Sequence, residues 1–191
     1  LGHPRPEWAT NGRRGAAGTT MRVDNSFIPV RGVGETTERR LWESGVTAWS
    51  AYDGQRPRGV GATTAGRIES FVDEALERLD DRDADYFDRA FPRGEHWRLY
   101  ETFREEVCFF DIETTGLSQH HDRVTTVSFH RGGETTTLVQ GRDLTPSAVS
   151  EQFAAADLLC TFNGERFDVP FLETALDIDV DTPHLDLMYP C

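Results

Sequence analysis

Val107-Cys108-Phe109-Phe110-Asp111-Ile112-Glu113-Thr114-Thr115-Gly116-Leu117 is the stretch on which the reading of this chain turns. It opens as a β-rich apolar run interrupted by acids. Side chains alternate across a strand, so Asp111 and Glu113 leave the same face, ~6–7 Å apart. Two acids on a half-buried strand raise each other's pKa and cost free energy unless positive charge sits between them. Phe109, Phe110 and Ile112 mark a strand flanked by core rather than an edge that shows its acids to water. Hard divalent ions that prefer oxygen, Mg2+ or Mn2+, are the natural partner.

The pattern downstream stays strand-rich. Residues 124–130 and 135–139 are β-rich runs joined by an Arg131-Gly132-Gly133-Glu134 hairpin turn. Thr145-Pro146 caps and opens a helix running to about Ala156. Residues 158–162 read as a buried strand, a helix follows from about Asp168 to Ala175, and a strand lies around Leu185–Leu187. Pro170 is tolerated only in a helix's first turn, which puts Asp168 at the end of the sheet. There it could close on a metal held by the first strand, or simply cap its helix. Three antiparallel strands, then helix, strand, helix and strand, is an order that resembles the RNase H fold.

Upstream, an internal repeat runs from Met21 to about Leu79. Gly32-Val33-Gly34-Glu35-Thr36-Thr37 recurs as Gly59-Val60-Gly61-Ala62-Thr63-Thr64, at an offset of 27 residues. Two glycines around one apolar residue allow positive φ and leave backbone N–H groups exposed ahead of a helix. The helix after the second copy is plain, with Ile68, Phe71, Val72, Ala75, Leu76 and Leu79 on one face. The pair resembles tandem helix-hairpin-helix motifs, which implies phosphate contacts at Gly32, Gly34, Gly59 and Gly61; a small helical bundle packed on the strand region fits equally well. Residues 80–106 read as helical connectors, in which spacing puts Trp97, Tyr100 and Phe103 on one face, packed on the sheet. Residues 1–20 carry three arginines and one glutamate and read as a disordered arm ahead of Met21. The expected division is an arm at 1–20, a helix-hairpin-helix-like region at 21–80, a connector at 81–106 and the strand-rich domain at 107–191.

Composition narrows the class. The 191 residues include 37% hydrophobic residues in short runs, so a core can form and no membrane span is expected. A soluble, cytoplasmic protein follows as the expectation. Formal charge is −13, and all 20 basic residues are arginine. An acidic chain without lysine fits a halophile's high-salt cytoplasm, where the Debye length is ~3 Å at ~1 M salt. It also argues against charge-driven binding to nucleic acid at low specificity. Three scattered cysteines with no CxxC pair support no zinc site; Cys108 and Cys160 read as small buried hydrophobes.

Asp111-Ile112-Glu113-Thr114-Thr115-Gly116-Leu117 resembles the first motif of DEDD-type, DnaQ-like 3′–5′ exonucleases, D-x-E-T-T-G-L. Asn163 to Leu172 resembles the second, N-x-x-x-F-D-x-x-x-L. With His184-Leu185-Asp186-Leu187 the chain is most similar to the YprB-type RNase H-like branch. The fold so implied is α/β, an RNase H-like mixed five-stranded sheet with helices and its C-terminal part missing. A small all-α helix-hairpin-helix-like region precedes it. The resemblance implies a two-metal mechanism at nucleic-acid 3′ ends, with Asp111, Glu113 and Asp168 as catalytic metal ligands for Mg2+ or Mn2+. Thr114, Thr115, Gly116 and Leu117 would line the pocket for the terminal nucleotide, and Asn163 and Phe167 would shape the second motif's turn. Asp186 is implied to be structural.

A fourth acid and a His or Tyr base belong tens of residues beyond the second motif, and the sequence ends at Cys191. The expectation is therefore a truncated family member of little activity. His120 and His121 read as solvent-facing, and His184 as a strand-positioning residue. Two other readings compete: an incomplete nuclease fold serving as a nucleic-acid-binding module through the hairpin repeats, and a proofreading domain separated from a polymerase.

Overall fold

Alternation begins at Val107 and runs to Thr114, and it builds the central strand of the molecule, β1. In the computed structural model, which describes residues 22–54, 56 and 59–188, β1 is followed by β2 (Val124–Arg131) and β3 (Glu134–Val139). These three pair antiparallel, and Arg131 faces Glu134 across a two-residue turn. Gly132 and Gly133 hold that turn with φ of 59° and 84°, a conformation that twists with the strands and that side chains resist. Next come α5 (Pro146–Ala154), β4 (Leu158–Thr161), α6 (Asp168–Leu176) and β5 (His184–Asp186). β4 lies parallel to β1, and β5 parallel to β4. The sheet order is β3-β2-β1-β4-β5. The fold is α/β with a mixed five-stranded sheet.

Each face of the sheet has its own core. Cys108, Phe110 and Ile112 of β1 turn toward α5 and α6, where Phe110 meets the Phe153 ring at 5.0 Å and Phe171 and Leu172 fill the remainder. Thr145 accepts from the Ala148 amide and caps α5, with Pro146 in its first turn as expected. On the opposite face Val107, Leu158, Cys160 and Leu185 pack under a helical layer. That layer consists of α1 (Glu35–Glu43), α2 (Ala62–Asp80), α3 (Ala84–Ala90), α4 (Trp97–Phe103) and short 3-10 turns. Its centre is Trp49, fully buried against Phe71 and Phe87 and donating its indole N–H to the Ser26 carbonyl. Burying such rings contributes ~2–3 kcal/mol each. Glu38 is buried too, and is satisfied by the Ser26 hydroxyl and the Phe27 amide.

Two local expectations are corrected. α4 buries Arg98, Leu99, Thr102 and Phe103, so Trp97, Tyr100 and Phe103 do not share a packed face; Tyr100 is exposed, edge-on to Phe109. Apolar Leu99 and the methyl of Thr102 set that helix's phase rather than its aromatics. β4 stops at Thr161, one residue short, and leaves Phe162 at 71% exposure. Ahead of the first glycine pair stands a 3-10 turn, Val23–Asn25. The arm at 1–20, along with Met21 and Cys191, lies outside the described residues. No helix among the described residues is long and apolar enough to cross a membrane.

Candidate acidic site at the carboxyl ends of the parallel strands

The site is built where β1 outlasts its neighbour. β1 pairs with β4 only as far as Phe109–Cys160, and beyond that point the Ile112 amide donates to Asp168 Oδ1 at 3.2 Å. Asp168, the first residue of α6, is thereby drawn into the sheet and is 5% exposed. Burial pushes its carboxyl up to about 6, with a further push from Asp111 and a smaller one from Asp186. The structure thus brings Asp111 and Asp168 together. Among the described residues, neither they nor Glu113 form an ion pair with an arginine.

Asp111 and Glu113 share one face of β1 and are both exposed, which corrects the expectation that this strand keeps its acids from water, since the covering helices end short of the strand's last residues; Glu113 also stands at an irregularity. Pairing to β2 slips between Glu113 and Thr114, passing over Thr125, whose hydroxyl donates to the Glu113 carbonyl. Such bulges re-aim side chains beside them. Among the described residues no group of three His, Cys, Asp or Glu side chains is drawn tightly enough together to hold a metal ion. The donors present still suit a hard divalent cation. They are carboxylate oxygens, one of them buried against a like charge that a cation would offset.

A second acid frames the turn between β4 and α6. Asp186 is buried, and its oxygens accept from the amides of Asn163 (2.7 Å), Met188 (2.9 Å) and Glu165 (3.1 Å). Asn163 takes the left-handed conformation, φ 64°, that lets the chain double back. The Thr161 hydroxyl accepts from the Gly164 amide and bonds His184 Nε2 at 2.7 Å. A Cβ on Gly164 would strike the Thr161 side chain, so close approach demands glycine there. Phe167 packs its ring on Phe171, and its amide donates to Asn163. His184 therefore positions a hydroxyl inside the turn, and burial holds its pKa below 6.5.

The loop after β1 is tied by Asp122, which the sequence reading passed over. Its carboxylate accepts from the Ser118 amide at 2.9 Å and the Thr115 hydroxyl at 3.2 Å. Thr114 donates to the Gly116 carbonyl at 2.6 Å, and a Cβ on Gly116 would lie 2.6 Å from an Asp122 oxygen. Leu117, 84% exposed, is held out at the loop's crest. His120 and His121 are exposed, as expected. An Asp a few residues after a Gly-containing crest is an ordinary loop-tying signal, and it was available in the sequence.

The glycine repeats lie in the helical layer and pack on each other reciprocally. Gly32 (φ 97°) faces Thr64 and Arg67 of the second copy, and Gly59 (φ 86°) faces Arg40 of the first. Arg40 and Arg67 differ by the same 27-residue offset as the glycines. Gly34 and Gly61 are the N-caps of α1 and α2, with open space around them.

Residues 108–191 match the family model of the RNase_H superfamily. That segment begins one residue inside β1 and takes in every sheet strand, with Asp111, Glu113, Asp168 and Asp186. Among solved structures, the family B DNA polymerase from the hyperthermophilic archaeon Pyrobaculum calidifontis is similar at 22% identity and a TM-score of 0.32. The likeness covers 36% of this chain and 10% of the polymerase. No curated protein matches the chain.

Proposed function

We propose that this chain carries the acidic site of a metal-dependent nuclease that hydrolyses phosphodiester bonds at nucleic-acid 3′ ends. The observation that carries the reading is Asp168, buried and held by the Ile112 amide where β1 outruns β4, near enough to Asp111 to feel its charge, within a segment matching the RNase_H superfamily. Asp111, Glu113 and Asp168 would hold Mg2+ or Mn2+. When bound, such ions supply an acidified water and positive charge against the scissile phosphate. The Asp122-tied loop, with Thr114, Thr115, Gly116 and Leu117, receives the terminal nucleotide. Asn163 and Phe167 fix the turn that aims Asp168, and Asp186 fixes Asn163. Residues 107–191 form the catalytic region, and the reciprocal glycine repeats at 21–80 contact phosphates through Gly32, Gly34, Gly59 and Gly61.

The test uses single-stranded DNA and RNA labelled at either end, Mn2+ and multimolar KCl. The expected result is slow shortening from the 3′ end that falls to background in Asp111→Asn. Shortening indifferent to that substitution would refute the assignment. A second reading, a nucleic-acid-binding module without catalysis, is favoured by the lack of any three-ligand group among the described residues. Under it, oligonucleotide binds while Mn2+ does not.

A further inference from the structure

β3 ends the sheet order, and among the described residues no strand lies beyond it. Its pairing shows which backbone groups are spare. The Gln140 amide donates to the Thr125 carbonyl just past the Thr126–Val139 pair. By antiparallel alternation, Leu138, Thr136 and Glu134 then exchange hydrogen bonds with β2, while Thr135, Thr137 and Val139 aim their N–H and C=O groups outward. Those of Val139 are occupied. Its N–H donates to Asp143 Oδ1 at 2.7 Å, and its carbonyl accepts from the Arg142 and Leu144 amides at 3.1 Å. Thr135 and Thr137 are left presenting a donor and an acceptor each. Their hydroxyls bond back to His130 and Ser128 of β2, so neither side chain folds over the edge. Proteins blunt such an edge with lysine, proline, a bulge or a very short strand. β3 has six residues, a regular register, exposed threonines at its centre and one charge, Glu134, at its start.

We propose that β3 pairs antiparallel with β3 of a second copy of this chain, about a twofold axis through Thr136. The edge is self-complementary in that register. Thr135 faces the partner's Thr137 and the reverse, so every spare N–H and C=O meets its opposite. Thr136 meets its own counterpart as a close, non-hydrogen-bonded pair, with about 4.5 Å between Cα atoms. Threonine suits such cross-strand positions. Charge favours the same occupant. Residues 124–139 carry one arginine and one glutamate and are neutral in a chain of net −13, so two copies meet there without facing acids. The result is one ten-stranded sheet. Asp111, Ser128 and Thr137 share a row. With strands about 4.8 Å apart, the two Asp111 residues would stand on one face of that sheet, roughly 25 Å from each other. The inference stands apart from the nuclease reading.

Sedimentation equilibrium of the full chain in multimolar KCl should give twice the monomer mass of 21.5 kDa. Association should tighten as KCl rises, because salt screens the repulsion between two acidic chains. Thr137→Pro deletes an outward N–H and leaves the bonds to β2 whole; it should weaken association about tenfold or more. Thr136→Cys tests the register whether or not the proline variant folds. Oxidised glutathione should convert it to a disulfide-linked dimer, since its Cα lies within disulfide reach of its counterpart. Thr135→Cys, whose counterpart stands two residues off, should cross-link no more than the parent chain. A monomeric parent overturns the inference, and so does a dimer that loosens as KCl rises. A dimer that a folded Thr137→Pro leaves intact, or cross-linking no greater in Thr136→Cys than in Thr135→Cys, overturns it as well.

Discussion

Asp168→Asn isolates the cost of the buried acid. The amide keeps an oxygen for the Ile112 N–H and removes the charge that Asp111 opposes. Lifting a carboxyl from 3.8 to about 6 corresponds to at most ~3 kcal/mol; screening at the open sheet end brings this to ~1–2 kcal/mol. The sign follows from proton binding. Between the unfolded and folded values the folded chain holds more proton, so stability falls as pH rises from about 4 to 6 and the full penalty remains at pH 7. Without divalent ions, Asp168→Asn should melt about 3–8 °C above the parent at pH 7 and level with it near pH 4. The assay is thermal denaturation in chelator at fixed KCl across that range. Adding Mn2+ should raise the parent and leave the variant unmoved. A variant less stable than the parent at pH 7, or a gap that does not change with pH, would refute the reasoning.

Other substitutions probe the supports. His184, half-buried, has a folded pKa below 6.5, so its contribution is present above that value and fades on acidification; His184→Gln should flatten the loss of melting temperature below about pH 6. Gly164→Ala forces a Cβ into Thr161 and should cost ~1–3 kcal/mol in chemical denaturation, with weaker Mn2+ binding. Asp186→Ala strands three amides and should cost ~2 kcal/mol or more, again with loss of Mn2+ affinity although Asp186 touches no ion. Arg93→Ala removes only an exposed ion pair to Glu165 and should shift stability by less than ~1 kcal/mol.

Period-two alternation made β1, β2 and β3 legible, and Gly132-Gly133 named their turn, because local sterics and one buried face decide these elements. Thr145-Pro146 and Pro170 likewise fixed where α5 and α6 begin. The pair Asp111–Asp168 was legible as two motifs, while Asp168's burial was not. It depends on the β1–β4 pairing ending at Phe109, three residues before the Ile112 amide needs a partner, a tertiary fact with no local signature. Phe162 was read as strand interior because it extends the apolar run 158–162. Amide capture by Asp186, 23 residues away, turns the chain there and leaves the ring uncovered. In α4 spacing alone misassigned the buried face, since Arg98 is buried through its pairing with Glu95 and the Trp97 ring.

The most direct test of the acidic site is Mn2+ titration of the full chain, read by the electron paramagnetic resonance of the free ion, beside Asp111→Asn and Asp168→Asn. The account predicts saturable uptake by the parent and its loss in both variants. Uptake equal in all three, or none in the parent, would contradict it.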